Sequence, residues 1–156
     1  MTTYKEVFDK FVKRLKNDDD FLAYKNISEE EVEDLVKDHC VDLLNQAIGK
    51  IYDIGKPDVD FYDKDDKNET FNVILFNQEI KLLVDLMYEC YRAEDRNKMH
   101  FYELTFTSNE LNVFSPAANR DSFLKMLNSI ENTNMRNINN YLSRDRKTWE
   151  IKSIYK

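Results

Sequence analysis

The spacing with the sharpest chemical meaning lies between residues 58 and 69, where Asp58, Asp60, Asp66 and Glu69 take positions one, three, nine and twelve of a calcium-binding loop. Carboxylates spaced this way converge on a hard cation when the loop turns sharply at its sixth position. Here position five is Tyr62, and position six is Asp63 in place of the glycine the turn needs. The stretch therefore predicts a solvated acidic loop and no metal site.

The two histidines, His39 and His100, have no second ligand four residues on, and a zinc site needs four convergent donors. Cys40 and Cys90 each sit inside an apolar helical pattern, the usual setting of a buried thiol that behaves as a small hydrophobe. A cysteine or serine nucleophile would also need a base, an orienting group and an oxyanion hole, and none of these has a signature here. The only glycines, Gly49 and Gly55, are too far apart to cradle a phosphate and do not follow a strand. No catalytic, cofactor-binding or metal-binding residue is expected, and no cofactor. A site assembled from scattered carboxylates with His39 or His100 is the enzymatic alternative.

Binding to protein is the better expectation, and two segments carry candidates for it. Phe61 and Tyr62 are aromatics inside the acidic stretch, where they either fold back onto the body or anchor a partner. Arg144, Arg146 and Lys147 are basic residues of the tail, interleaved with Trp149, Ile151 and Ile154, which are too apolar for an idle end. The tail either clips onto an acidic neighbouring subunit or neutralises its own domain.

These residues need elements to hold them. Tyr4, Val7, Phe8, Phe11, Val12 and Leu15 recur at three/four spacing and predict an amphipathic helix over 3–17, stopped by Asp18, Asp19 and Asp20 at its unfavourable end. Ser28 with Glu31 forms a capping box, and Ile27 can staple against Val32. From there Leu35, Val36, Cys40, Leu43, Leu44, Ala47, Ile48 and Ile51 keep the helical period for a rod of roughly 37 Å. Gly55 and Pro57 end it, and residues 56–70 read as an exposed acidic loop.

Residues 71–76 suit a buried extended segment, with Asn77 placed to cap the next helix. Ile80, Leu83, Val84, Met87, Cys90 and Tyr91 make one stripe, while Leu82 and Leu86 render that helix apolar almost all round, so it belongs at the centre. Residues 101–106 and 111–114 read as strands of a hairpin around Ser108 and Asn109. Ser115 and Pro116 then start a last helix that buries Phe123, Leu127, Ile130, Ile138 and Tyr141 and is weakened by its many Asn residues.

The bulk numbers agree. A chain of 156 residues with two Gly, two Pro and 34% charged residues is a single helical domain in the making, since a turn-rich β-sandwich lacks its turn residues here. The formal charge of -7 opposes general attraction to DNA phosphate or anionic lipid. The opening residues MTTYKEVFDKF lack the apolar core of a secretory signal, and no stretch approaches the ~18 apolar residues of a membrane span. The expected fold is mainly α, a bundle of about four helices with a small β-hairpin or extended segments. The helical domain covers 1–143, and a basic extended tail over 144–156 docks on a neighbour.

Three segments taken together, ISEEEVEDLVKDHCVDLLNQAIGKI, FNVILFNQEIKLLVDLMYECY and NVFSPAANRDSFLKMLNSIE, resemble small neck proteins of tailed bacteriophages that infect low-GC Gram-positive bacteria. The likeness spans about residues 27–142 and lies in capped helices and apolar periodicity. It implies a structural virion protein made in the bacterial cytoplasm: a head–tail connector, or adaptor, forming a homo-oligomeric ring between portal and tail. Its partners would be the portal and neighbouring neck or tail proteins, with DNA passing through an acidic channel without specific binding. A different tail-completion role, or a small intracellular regulator that binds a host protein, is the alternative.

Overall fold

The structure of the protein, a computed structural model, describes residues 1–15, 29–105 and 117–152. Four helices are found among them: α1 (Tyr4–Arg14), α2 (Glu29–Ile54), α3 (Asn77–Thr105) and α4 (Ala117–Leu142). Three two-residue strands, β1 (Thr2–Thr3), β2 (Lys64–Asp65) and β3 (Thr70–Phe71), form an antiparallel sheet in the order β1-β3-β2. Thr2 pairs with Phe71, and Lys64 pairs with Phe71 from the other side.

Helix α1 is set by a capping box, in which the Thr3 hydroxyl and the Glu6 carboxylate each accept the other's backbone N–H. It ends at Arg14, short of the expected residue 17, with Leu15 as its cap. Helix α3 is the central element, as its all-round apolar sequence requires, and packs against α1, α2 and α4. Leu82, Leu83, Leu86 and Met87 are all buried on it. At Gly55, which follows α2, a β-carbon would stand 3.1 Å from the Leu142 side chain, so the missing side chain lets the ends of α2 and α4 approach.

The buried face of α3 also carries three carboxylates, each met by a cation from a different element. Glu79 takes Arg146 from the tail, Asp85 takes Arg14 from α1, and Glu89 takes Lys50 from α2 at 2.7 Å. Asn134 of α4, itself buried, donates to Glu89 at 2.7 Å and to the Asp85 carbonyl at 3.0 Å. Every neighbour of the central helix is thus keyed to it by a polar contact that a slipped register would leave unpaired.

Several expectations are corrected. Residues 101–105 are not a strand: α3 continues through them to Thr105, and residues 106–116 lie outside the described residues. Leu35 is exposed at 42%, because the α2 stripe becomes buried only from Cys40 onward. In the acidic stretch Asp58, Asp60, Tyr62, Asp63 and Asp66 are exposed, while the short strands β2 and β3 lie within it or at its end and Pro57, Val59 and Phe61 are buried. Asn77 is the first helical residue rather than the cap: Phe76 precedes it, and the Glu79 carboxylate accepts the Phe76 N–H at 2.7 Å. Asp18, Asp19, Asp20, Ser28 and Ser115 lie outside the described residues.

Candidate functional site

Two turns, one in the acidic stretch and one in the tail, share one design. In each, an Asp carboxylate accepts the N–H groups two and three residues on: Asp65 from Lys67 and Asn68, Asp145 from Lys147 and Thr148. Four residues after each Asp the backbone turns left-handed, at Glu69 with φ 54° and at Trp149 with φ 63°. That conformation favours glycine and costs another residue about 1 kcal/mol or more. With only two glycines in the chain, the Asp caps hold these turns instead. Backbone donation from Thr148, then Lys147, keeps the Asp145 carboxyl below its ordinary range.

Residues 143–152 thereby form a hairpin-like strap. The Asp145 N–H donates to the Glu150 carbonyl at 2.8 Å, the Lys152 N–H to the Ser143 carbonyl at 2.8 Å, and Arg144 bridges to Ile151. Through residue 152 the strap lies on its own chain, the second of the two placements that its charge left open. Arg144 bonds the Trp149 carbonyl, and Trp149 leans on Tyr141 with ring centroids 6.4 Å apart. Lys152 pairs with Asp58 at 2.8 Å.

Arg146 is the centre of the strap. Its guanidinium meets both oxygens of Glu79, at 2.6 and 2.9 Å, donates to the Ile74 carbonyl, and lies 4.3 Å from the centre of the Phe76 ring. Glu79 is 1% exposed and also accepts the Tyr141 hydroxyl at 2.9 Å. Burial and the neighbouring Glu79 charge push the Tyr141 phenol far above its ordinary value, so that hydroxyl stays a donor.

The other candidates divide. Phe61 is fully buried, 6.2 Å from Tyr141, and is therefore a core residue rather than an anchor; through Tyr141 it shares an aromatic run with Trp149. Tyr62 is 52% exposed and packs on Tyr52 at 4.8 Å. Lys147 is exposed, Ile151 is exposed at 72%, and Ile154 lies outside the described residues.

Sequence reasoning missed three exposed apolar side chains near this surface, Met1, Ile74 and Phe76. The Thr2 N–H donates to the Val73 carbonyl, and the Thr2 hydroxyl accepts the Leu75 N–H at 2.9 Å, which brings Met1 beside residues 73–76. Met1, Ile74 and Phe76 are 76%, 66% and 42% exposed. The expected buried extended segment over 71–76 is thereby corrected: the strand ends at Phe71, residues 72 and 73 are bends, and Ile74 and Phe76 are exposed on either side of buried Leu75.

No protein-family model matches the chain, and neither does any curated protein or solved structure.

The residues that suggested metal or catalytic chemistry are engaged separately. Asp58 meets Lys152, Asp60 accepts from the Tyr52 hydroxyl, Asp66 accepts from Tyr4 and Lys64, and Glu69 pairs with Lys37. Each member of the calcium-like quartet thus has a partner of its own, and no cluster of three metal-ligating side chains is found among the described residues. His39 pairs with Glu94 at 2.9 Å, tying α2 to α3. His100 is exposed and lines a cavity of about 360 Å³ with Arg96, Asn97 and Leu124. Burial pushes the Cys40 thiol up to about 12 and the Cys90 thiol up to about 11, opposite to what a nucleophile requires. No described helix is long and apolar enough to cross a membrane.

Proposed function

We propose that this chain is a structural, protein-binding subunit: a head–tail connector of a tailed bacteriophage, forming a ring between portal and tail in the virion neck. One observation carries the protein-binding part. Met1, Ile74 and Phe76 are exposed on a chain that is 34% charged, and the Thr2 N–H bond to the Val73 carbonyl sets Met1 beside the segment carrying the other two, so the three are expected to be covered by protein. Ile74 and Phe76 are held outward by a framework of hydrogen bonds through Thr2, Glu79 and Arg146, so little ordering is needed on binding. The phage assignment rests on the sequence resemblance of the three helical segments.

The acidic balance supports a channel role, because like charge keeps DNA moving past the wall without sticking. The experiment is light scattering on the purified chain, alone and with the portal protein. A ring, alone or on the portal, is the expected result. A stable monomer indifferent to the portal would instead favour the small regulator that binds a host protein.

A further inference from the structure

Four groups converge on the Arg146 guanidinium: both oxygens of Glu79, the Ile74 carbonyl, and the face of Phe76. None of them belongs to the strap, and each is fixed by contacts outside it. Glu79 is held by the Phe76 N–H and the Tyr141 hydroxyl, at 2.7 and 2.9 Å. The segment carrying Ile74 and Phe76 is held by Thr2 through Val73 and Leu75. A planar fork meets both carboxylate oxygens in parallel while offering a further donor to the carbonyl and a flat face to the ring, a geometry that an ammonium does not reproduce.

Apart from the Arg146 side chain, the strap meets the body through the Arg146 N–H to Asp58, Lys152 to Asp58 and the Leu142 carbonyl, and Trp149 on Tyr141. The strap's second ion pair, Lys152 with Asp58, has side chains 38% and 36% exposed, and its backbone is left-handed at Trp149. Opening the strap strands a carboxylate that is 1% exposed, which then requires a new cation.

We propose that Glu79, the Ile74 carbonyl and the Phe76 ring form a guanidinium receptor, that Arg146 is its intramolecular occupant, and that an arginine side chain from a partner protein competes with the strap for it. The site adjoins the exposed Ile74 and Phe76, so a partner covering them brings its arginine to the receptor mouth. The inference rests on the Glu79 geometry and is independent of the ring assignment.

The test uses the full chain with Arg146→Ala, and Trp149, the only tryptophan, reports the strap by its emission. Ethylguanidinium chloride at millimolar concentration should raise the thermal midpoint of Arg146→Ala, while ethylammonium chloride at equal ionic strength should not. Neither salt should move the wild type, and the Glu79→Gln/Arg146→Ala double variant should lose the response. A peptide of residues 144–152 should bind Arg146→Ala about tenfold or more tightly than the same peptide with citrulline at its second arginine. Equal response to the two salts, an undiminished response in the double variant, or equal binding of the two peptides would overturn the proposal. If Arg146→Ala does not fold, Arg146→Lys keeps a cation at the site; a Trp149 emission change with ethylguanidinium and none with ethylammonium is then expected, and no difference between the salts rejects the receptor.

Discussion

Glu79 and Arg146 stand 67 residues apart in the chain and meet through two hydrogen bonds between carboxylate and guanidinium, at 2.6 and 2.9 Å. The acid is 1% exposed and sits in the first turn of the central helix; the base reaches it from beyond the last helix. The pair therefore fastens the strap after the last helix to the start of the central one. Removing only the base strands a buried charge, so Arg146→Ala should lose roughly 3–5 kcal/mol in urea unfolding. Replacing both partners, as Glu79→Leu with Arg146→Met, should cost less than Arg146→Ala alone, because nothing charged then remains buried. A double variant as unstable as the single one would mean that the strap contributes by packing and not by charge.

The left-handed turns predict a sign that contacts alone would not. At Trp149 and Glu69, glycine should be better tolerated than alanine by about 1 kcal/mol, because alanine keeps the β-carbon that the left-handed backbone disfavours. Trp149→Gly and Trp149→Ala lose the same ring contact with Tyr141, so their difference isolates the backbone. Chemical denaturation of the two pairs of variants checks it, and equal stabilities would show that the Asp145 and Asp65 caps already absorb the strain.

Acid sensitivity follows from the same caps. Asp145 is lowered by backbone donation from Thr148, Asp65 by the Asn68 side chain, Asp60 by the Tyr52 hydroxyl and Asp66 by Lys64. Each folded value lies below the ordinary 3.8, so between the two values the unfolded chain binds more protons and stability rises with pH. Their contribution is complete above about pH 5 and is lost as pH falls below 3.8 through the folded values. Urea midpoints measured from pH 7 to pH 2 should hold a plateau and then fall, and Asp145→Asn should make that fall shallower.

The parts of this architecture legible in the sequence are those set by local period. The apolar stripe of α2 from Cys40 to Ile51 and the all-round apolar α3 are where periodicity puts them. What escaped was non-local. Glu79, Asp85 and Glu89 look like interruptions of an apolar run, and only their partners on three other elements explain their burial. Asn134 was hidden among other asparagines, although Leu127, Ile138 and Tyr141 mark a stripe whose seven-residue step from 127 lands on it. Residues 101–105 carry strand-prone Phe, Tyr and Thr, but extending a helix already nucleated costs little per residue, and the Arg96–Glu131 pair ties the preceding turns of α3 to α4. The tail left two partners open by charge, and the acids that it meets, Glu79 and Asp58, are its own.

Ile74 separates the interaction surface from the stability of the fold. Its side chain is 66% exposed, while its carbonyl is the part that Arg146 uses. Ile74→Asp keeps that carbonyl, so its effect on unfolding should stay within about 0.5 kcal/mol, the usual range for an exposed position. Association should respond differently, because a carboxylate at the middle of an apolar contact must be desolvated without a partner. The expected outcome is a variant with wild-type helical content and urea midpoint that elutes as a smaller species than the wild type, or no longer binds the portal. A variant that assembles as the wild type does would remove Met1, Ile74 and Phe76 from the interface and leave Tyr62 and Ile151 as the exposed apolar positions of the original candidate set still to test.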